Sequence, residues 1–179
     1  MQSKDMMKMP KSSVQESSVT YETENDLPNS ARTELNAIMN QRLADAVDLQ
    51  LQLNQAHWNV KGPHFTGLHE LFDKIAEDAE SFADLIAERI VQLGGIARGT
   101  VREAAGRSRL EEYPLEIADG MAHVEAVARA LSTFGREARL TINEADKLGD
   151  ADTADMFTEI SRSVDKWLWF VEAHTQAPK

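Results

Sequence analysis

Four stretches of this chain repeat apolar residues every three or four positions, and no stretch alternates them with period two over a useful length. A helix face recurs every 3.6 residues and a strand face every two, so the pattern predicts helices and no sheet. Leu35, Met39, Leu43, Ala46, Leu53 and His57 line the first face. Asn29 or Ser30 stands where an N-cap is expected, and Gly62-Pro63 ends the helix in a short turn. Phe65, Leu68, His69, Phe72, Ala76, Ala79, Ala83, Ile86 and Ile90 form the second face, closed by Gly94-Gly95. Ile117, Met121, Val124, Ala128, Leu131, Ala138 and Ile142 form the third, with Pro114 read as part of its first turn and Gly149 as its end. The fourth runs from about Asp152 through Met156, Phe157, Ile160, Val164, Trp167 and Phe170 to near His174.

Residues 96–113 lie between the second and third helices, rich in Arg, Gly and Ala, and read as a long crossover with a short helix of its own. Short first and last loops around a long middle connection describe an all-α four-helix bundle of ferritin-like connectivity, since a simple up-down-up-down bundle needs no crossover. Residues 1–29 differ: they hold four of the seven Met, many Ser and Thr, and no apolar period. They are expected to be a flexible tail, with residues 30–179 as the bundle domain.

Composition narrows the function. Thirty Asp and Glu against 19 Lys and Arg give a net charge of −11, which on average repels duplex DNA and anionic membranes. The chain has no Cys, which excludes disulfides, Cys-ligated zinc, iron–sulfur clusters and thiol peroxidase chemistry. The longest apolar run, Trp167 to Val171, is far short of the roughly 20 residues a spanning helix needs. Lys4, Lys8 and Lys11 are followed by no apolar segment of the kind a secretory signal carries, so the cytoplasm is the expected location.

His69 and Asp73 are spaced i,i+4 on helix two, and so are Asp84 and Glu88. Asp73 and Asp84 are close to three full turns apart, so all four side chains project from nearly one stripe. The short turn after His57 brings it beside His69. Eleven residues of helix rise about 16 Å, whereas metal–ligand bonds are about 2 Å. One ion therefore cannot be held by both ends of the stripe. Either these are two half-sites, or a second subunit related by a two-fold axis completes each one. Two imidazoles and three carboxylates suit iron, manganese or zinc. The same carboxylates would serve equally as a solvated helix face. His123 and His174 read as surface residues without clear partners, and His64 lies in the turn.

Some chemistries are absent. His69-Glu70-Leu71-Phe72-Asp73 misses the zinc-protease pattern, having Asp where a second His is needed. The Glu-x-x-His motif of di-iron sites inside a bundle does not occur. There is no P-loop, no G-x-G-x-x-G and no G-x-S-x-G.

His57-Trp58-Asn59-Val60-Lys61-Gly62-Pro63-His64-Phe65, Leu68-His69-Glu70-Leu71-Phe72-Asp73, Asp84-Leu85-Ile86-Ala87-Glu88-Arg89 and Leu93-Gly94-Gly95 closely resemble the Dps family, the miniferritins. The stretch from Asp150 through Trp169-Phe170 also resembles it, so the similarity covers roughly residues 30–174. The resemblance implies a hollow dodecameric shell with ferroxidase centres at two-fold interfaces. The family's metal ligands fall on His57, His69 and Asp73 of one chain and on Asp84 and Glu88 of its neighbour. Trp58 matches a tryptophan thought to intercept oxidising equivalents, and it would serve equally as packing. The implied reaction oxidises Fe(II) to Fe(III), with hydrogen peroxide favoured over oxygen, and stores the ferric product inside, protecting the cell from oxidative damage. Asp150, Asp155 and Glu159 fall where the family lines three-fold pores; Asp150 taken singly would serve equally in stabilising the helix dipole. Many members bind DNA through basic tails, a role open here to Lys4, Lys8 and Lys11, although the second half of this tail is acidic.

Overall fold

The computed structural model describes residues 20–176. It contains α1 (Asn29–Asn59), α2 (Phe65–Gln92), α3 (Val101–Arg107), α4 (Gly120–Lys147) and α5 (Ala151–Glu172). Among the described residues no strand forms, and the β-type pairing is an isolated bridge between Lys61 and Asp119. The four long helices pack as a bundle, α1 against α2 and α4, and α5 against α4 and α2, while the short α3 lies on α1.

That bridge explains the crossover. The Lys61 N–H donates to the Ala118 carbonyl at 2.9 Å, placing the end of α1 beside the start of α4. Helix α2 also begins there, so α2 and α4 run parallel. The chain leaving α2 must therefore return along the whole bundle, about 42 Å for a 28-residue helix. Residues 93–119 make that return, with α3 within them.

Apart from the bridge to Lys61, the crossover has no strand partner for its backbone among the described residues, and α1 supplies partners from side chains. Asn36 donates to the Leu93 carbonyl at 3.3 Å, and Asn40 donates to Ile96 and accepts from the Arg98 N–H. Gln41 donates to Arg107 at 2.6 Å, Asp45 accepts from the Arg109 N–H at 2.8 Å, and Gln52 donates to Glu111 at 3.0 Å. Buried Arg42 sits between Asp45 at 3.0 Å and Glu137 at 2.7 Å, and Glu137 also takes Arg109 at 2.8 Å. Burial pushes the Asp45 carboxyl above its ordinary value. Burial pushes Glu137 upward too, but Arg42 and Arg109 outweigh it and hold the group below its ordinary value.

Two helix ends are closed alike. After α2, the Gly95 N–H donates to Ile90 and the Gly94 N–H to Val91, with Gly94 at φ +77°. After α4, the Asp150 N–H donates to Ala145 and the Gly149 N–H to Asp146, with Gly149 at φ +81°. Both are Schellman closures, which require a left-handed residue that glycine adopts without penalty. The second leaves only residues 148–150 between α4 and α5. Phe72, Phe134 and Phe157 fill the centre with Leu35, Met39, Leu43, Leu49 and Leu53 of α1.

Two expectations need correction. Pro114 does not open the third long helix: α4 begins at Gly120, capped by Asp119, whose carboxylate accepts from the Met121 and Ala122 N–H groups. Neither Asn29 nor Ser30 caps α1; Pro28 stands at that position and no side chain caps the helix. The described end of the expected tail, residues 20–28, lies against the bundle. The Tyr21 N–H donates to the Gly94 carbonyl at 2.7 Å, and Leu27 packs on the core.

Candidate metal centre

His57 lies in the last turn of α1 and His69 near the start of α2, joined by a turn in which Gly62 adopts φ +106°. Their rings stack with centroids 3.7 Å apart and planes 19° from parallel. Each imidazole bonds the other's backbone: His57 Nδ1 to the His69 carbonyl and His69 Nδ1 to the His57 carbonyl, both at 2.8 Å. A carbonyl only accepts, so each Nδ1 carries a proton, and in the neutral ring Nε2 is the nitrogen with the lone pair. These reciprocal bonds fix two tautomers and two ring orientations, as the outer hydrogen bond of a metal-binding histidine does. The Phe65 ring also stacks on His69, with centroids 5.1 Å apart.

Asp73, one turn after His69, places Oδ1 3.8 Å from His57 Nδ1. Asp84 and Glu88 are exposed further along α2. Among the described residues, no three His, Asp or Glu of one chain converge on a point that could hold a metal ion. The structure thus brings His57, His69 and Asp73 together and leaves Asp84 and Glu88 apart, as the rise of the helix demands. Trp58 is 68% exposed beside the stacked pair, so within one chain it is not a packing residue. His64 and His174 are exposed.

Asp155 and Glu159 are exposed on α5, but Asp150 is not available to a pore. It is only 3% exposed, caps α5 through the Thr153 N–H at 3.1 Å, accepts from the Thr153 hydroxyl, and pairs with Arg89 at 2.7 Å. Its carboxylate is committed to tying α5 to α2, one residue from Glu88. The D-x-x-T spacing of a capping residue was the sequence signal for this. Lys4, Lys8 and Lys11 lie outside the described residues.

His123 is the other correction. It is buried, and its Nδ1 meets the Tyr113 hydroxyl at 2.6 Å. Sequence reasoning placed it on the surface, although it stands at helical spacing from Val127, Ala130 and Phe134 on the buried side of α4. Also unforeseen was Asp78, which accepts from the Trp167 indole at 2.6 Å and from Ser163 at 3.2 Å, joining α2 to α5.

The family model of the ferritin-like domain matches residues 36–179. The DNA protection during starvation protein of Agrobacterium fabrum is 42% identical over 157 residues, spanning 88% of this chain and 97% of that one. The chain belongs to the Dps family. DpsA14 from Streptomyces coelicolor matches this Dps fold with a TM-score of 0.84 and 32% identity, over 89% of this chain and 94% of that chain. Dps from Mycobacterium smegmatis matches with a TM-score of 0.84 and 29% identity, over 88% and 95%. Against this Dps frame the donor chemistry is consistent with iron: imidazole nitrogen and carboxylate oxygen, with no thiolate for an oxidant to consume.

Proposed function

We propose that the chain is a ferroxidase and iron store of the Dps type, assembled as a dodecamer whose two-fold interfaces each hold two metal centres. Each centre takes His57, His69 and Asp73 from one chain and Asp84 and Glu88 from the other. The observation that carries this reading is the reciprocally bonded histidine pair with Asp73 beside it, while Asp84 and Glu88 lie too far along α2 to join them within one chain. Zinc or manganese would compete for the same donors. Support for a second copy comes from exposed Leu85 and Val91, which flank Asp84 and Glu88 on α2 and are unburied apolar surface in a lone chain.

Fe(II) is the substrate. Two Fe(II) ions each give one electron to hydrogen peroxide; its O–O bond breaks, and two protons complete two waters. Delivering both electrons together avoids releasing hydroxyl radical. Oxygen is the competing oxidant. Exposed Asp155 and Glu159, repeated around a three-fold axis, would draw Fe(II) inward. The product is ferric oxide held in the shell, and the setting is the cytoplasm; no helix among the described residues is long and apolar enough to cross a membrane.

The test is anaerobic loading with Fe(II), then addition of peroxide, with ferric absorbance and stoichiometry recorded. A ratio near two irons per peroxide, with little trapped hydroxyl radical, is the expected result. Oxidation no faster than in buffer refutes it. A second reading, DNA compaction with iron chemistry secondary, draws on the Agrobacterium fabrum relative being a DNA protection during starvation protein and on Lys4, Lys8 and Lys11. Repetition of the tail over the shell would supply avidity. A low-salt gel shift that disappears when residues 1–15 are removed supports it, and no shift from the full-length shell dismisses it.

A further inference from the structure

Tyr113, at the end of the crossover, and His123, in the first turn of α4, are 7% and 1% exposed. The phenol oxygen and His123 Nδ1 are 2.6 Å apart, and the rings lie 6.0 Å apart at 24°. No group of the candidate metal centre touches this bond. The imidazole lies against the backbone of Asn59 and Ile117, with Lys61 and Asp119 as its neighbouring charges, and Arg129 is the charge nearest the phenol. The Asn59 and Ile117 backbones are the hydrogen-bonding groups nearest the rest of the ring, and neither makes a well-formed bond to Nε2.

Burial acts on both groups. It pushes the Tyr113 phenol up, so the phenol keeps its proton, and pushes the His123 imidazole down, so the imidazole is a neutral base. The pair is thus a phenol O–H donating to an unprotonated nitrogen in a dry setting. A phenol that loses an electron becomes a strong acid. Buried, it is hard to oxidise unless a base at hydrogen-bond distance takes the proton in the same event, and Nδ1 is that base. A purely structural tyrosine would be served by any carbonyl. The position also matters: His123 packs on Asn59, two residues from His57 and one from Trp58 along α1.

We propose that Tyr113 and His123 form a redox site that gives one electron to oxidants of hydroxyl-radical strength arising at the metal centre. The phenol gives up one electron and its proton passes to Nδ1, leaving a neutral phenoxyl radical and an imidazolium. The hydroxyl radical takes the electron and a solvent proton and becomes water. A further Fe(II) then returns an electron to the phenoxyl and becomes Fe(III), while the proton returns from Nδ1 to oxygen. The source of oxidant rests on the iron and peroxide reading; the electron chemistry of the pair does not.

The chain has only two tyrosines, and the other, Tyr21, is 63% exposed. Metal-free Tyr21→Phe protein, oxidised by flash-quenched ruthenium tris-bipyridine, should therefore give a tyrosyl electron-paramagnetic-resonance signal assignable to Tyr113. Adding Tyr113→Phe should abolish it. His123→Gln keeps an acceptor for the hydroxyl but no base, and should slow radical formation about a hundredfold, the low end of what a positioned base contributes. Formation in the Tyr21→Phe protein should also slow in deuterated water, a comparison that leaves the pair intact should His123→Gln fail to fold. With Fe(II) and peroxide, the Tyr113→Phe shell should release more trapped hydroxyl radical per iron oxidised. A silent Tyr113, an unchanged rate in His123→Gln, or no isotope effect overturns the redox site. Absence of iron oxidation with an intact metal-free signal overturns the iron reading instead.

Discussion

The proposed division of the metal centre between chains can be tested by mixing two variants that should each be inactive. His57→Ala removes a ligand from one half of the centre and Glu88→Ala from the other. On α2, Asp73 and Asp84 are eleven residues apart, about 16 Å, so neither variant can repair itself within one chain. In a two-fold pair, one centre joins His57 of the first chain to Glu88 of the second, and the other centre joins the reverse. A mixed pair therefore has one centre with both lesions and one with neither. Random reassembly makes half the pairs mixed, and half the centres in each are intact, so about a quarter of wild-type ferroxidase activity should return. The assay is the initial rate of ferric absorbance after the two variants are dissociated together, reassembled and loaded with Fe(II), against each variant treated alone. Each alone should be near the buffer rate. If the mixture stays there although the shells have exchanged subunits, the centre is not shared in this way. If either single variant keeps most of its rate, the ligand assignment falls with it.

Four further outcomes follow from the geometry. Asp150→Ala removes an N-cap worth about 1 kcal/mol and the close carboxylate of Arg89, which keeps only Asp152 at 4.0 Å and the Thr153 and Gln92 oxygens, about 2 kcal/mol more; the melting midpoint should fall by roughly 6–12 °C, whereas a fall of only a degree or two would deny the clasp any role. Asp155→Asn should slow iron uptake while leaving the assembled mass unchanged, and equal uptake would count against a pore. Gly94→Ala forces a left-handed backbone at about 1–2 kcal/mol and sets a Cβ 2.5 Å from the Tyr21 carbonyl oxygen, so limited proteolysis should cut within residues 20–28 faster than in wild type. Burial holds His123 below its ordinary value of 6.5; the unfolded chain therefore takes up that proton first, and stability should fall as pH drops below 6.5 towards the lower folded value, a slope that His123→Gln should lose in equilibrium denaturation.

The long helices were legible because each buries an apolar stripe. Two of their ends were legible because Gly94 and Gly149 sit where only a left-handed residue closes the last turn. Pro114 misled because proline suits a first helical turn as well as extended chain. What keeps 114–118 out of the helix is tertiary: Ala118 is held by Lys61, and Tyr113 by His123. The polar stripe of α1 carries no periodic signal for burial either. Asn36, Asn40 and Gln52 are buried because the crossover lies on them, and the crossover's path is a property of the whole chain. At the candidate site, the meeting of His57 with His69 followed from the length of the turn, and the distance to Glu88 from helix rise. The stacking and the tautomers did not, since they depend on two carbonyls aimed by backbone geometry. For Asp150 the sequence left a pore and a helix terminus equally open, because spacing places a carboxylate on a helix without saying which neighbour has already claimed it.

The same packing explains why a metal centre would sit between chains. The middle of the bundle is filled by Phe72, Phe134 and Phe157, and the charges buried between α1 and α4 are paired, Arg42 against Asp45 and Glu137. A metal there would have to displace an ion pair whose loss leaves a charge buried and unpaired, at a cost of several kcal/mol. A pair of imidazoles lies instead at the α1–α2 turn, where the two histidines spend their Nδ1 protons on each other's backbone. Placed there, a centre has half its ligands until a second copy docks. On the proposed function this couples chemistry to assembly: a lone chain can hold Fe(II) only weakly, and oxidation begins only where the product has a cavity to enter.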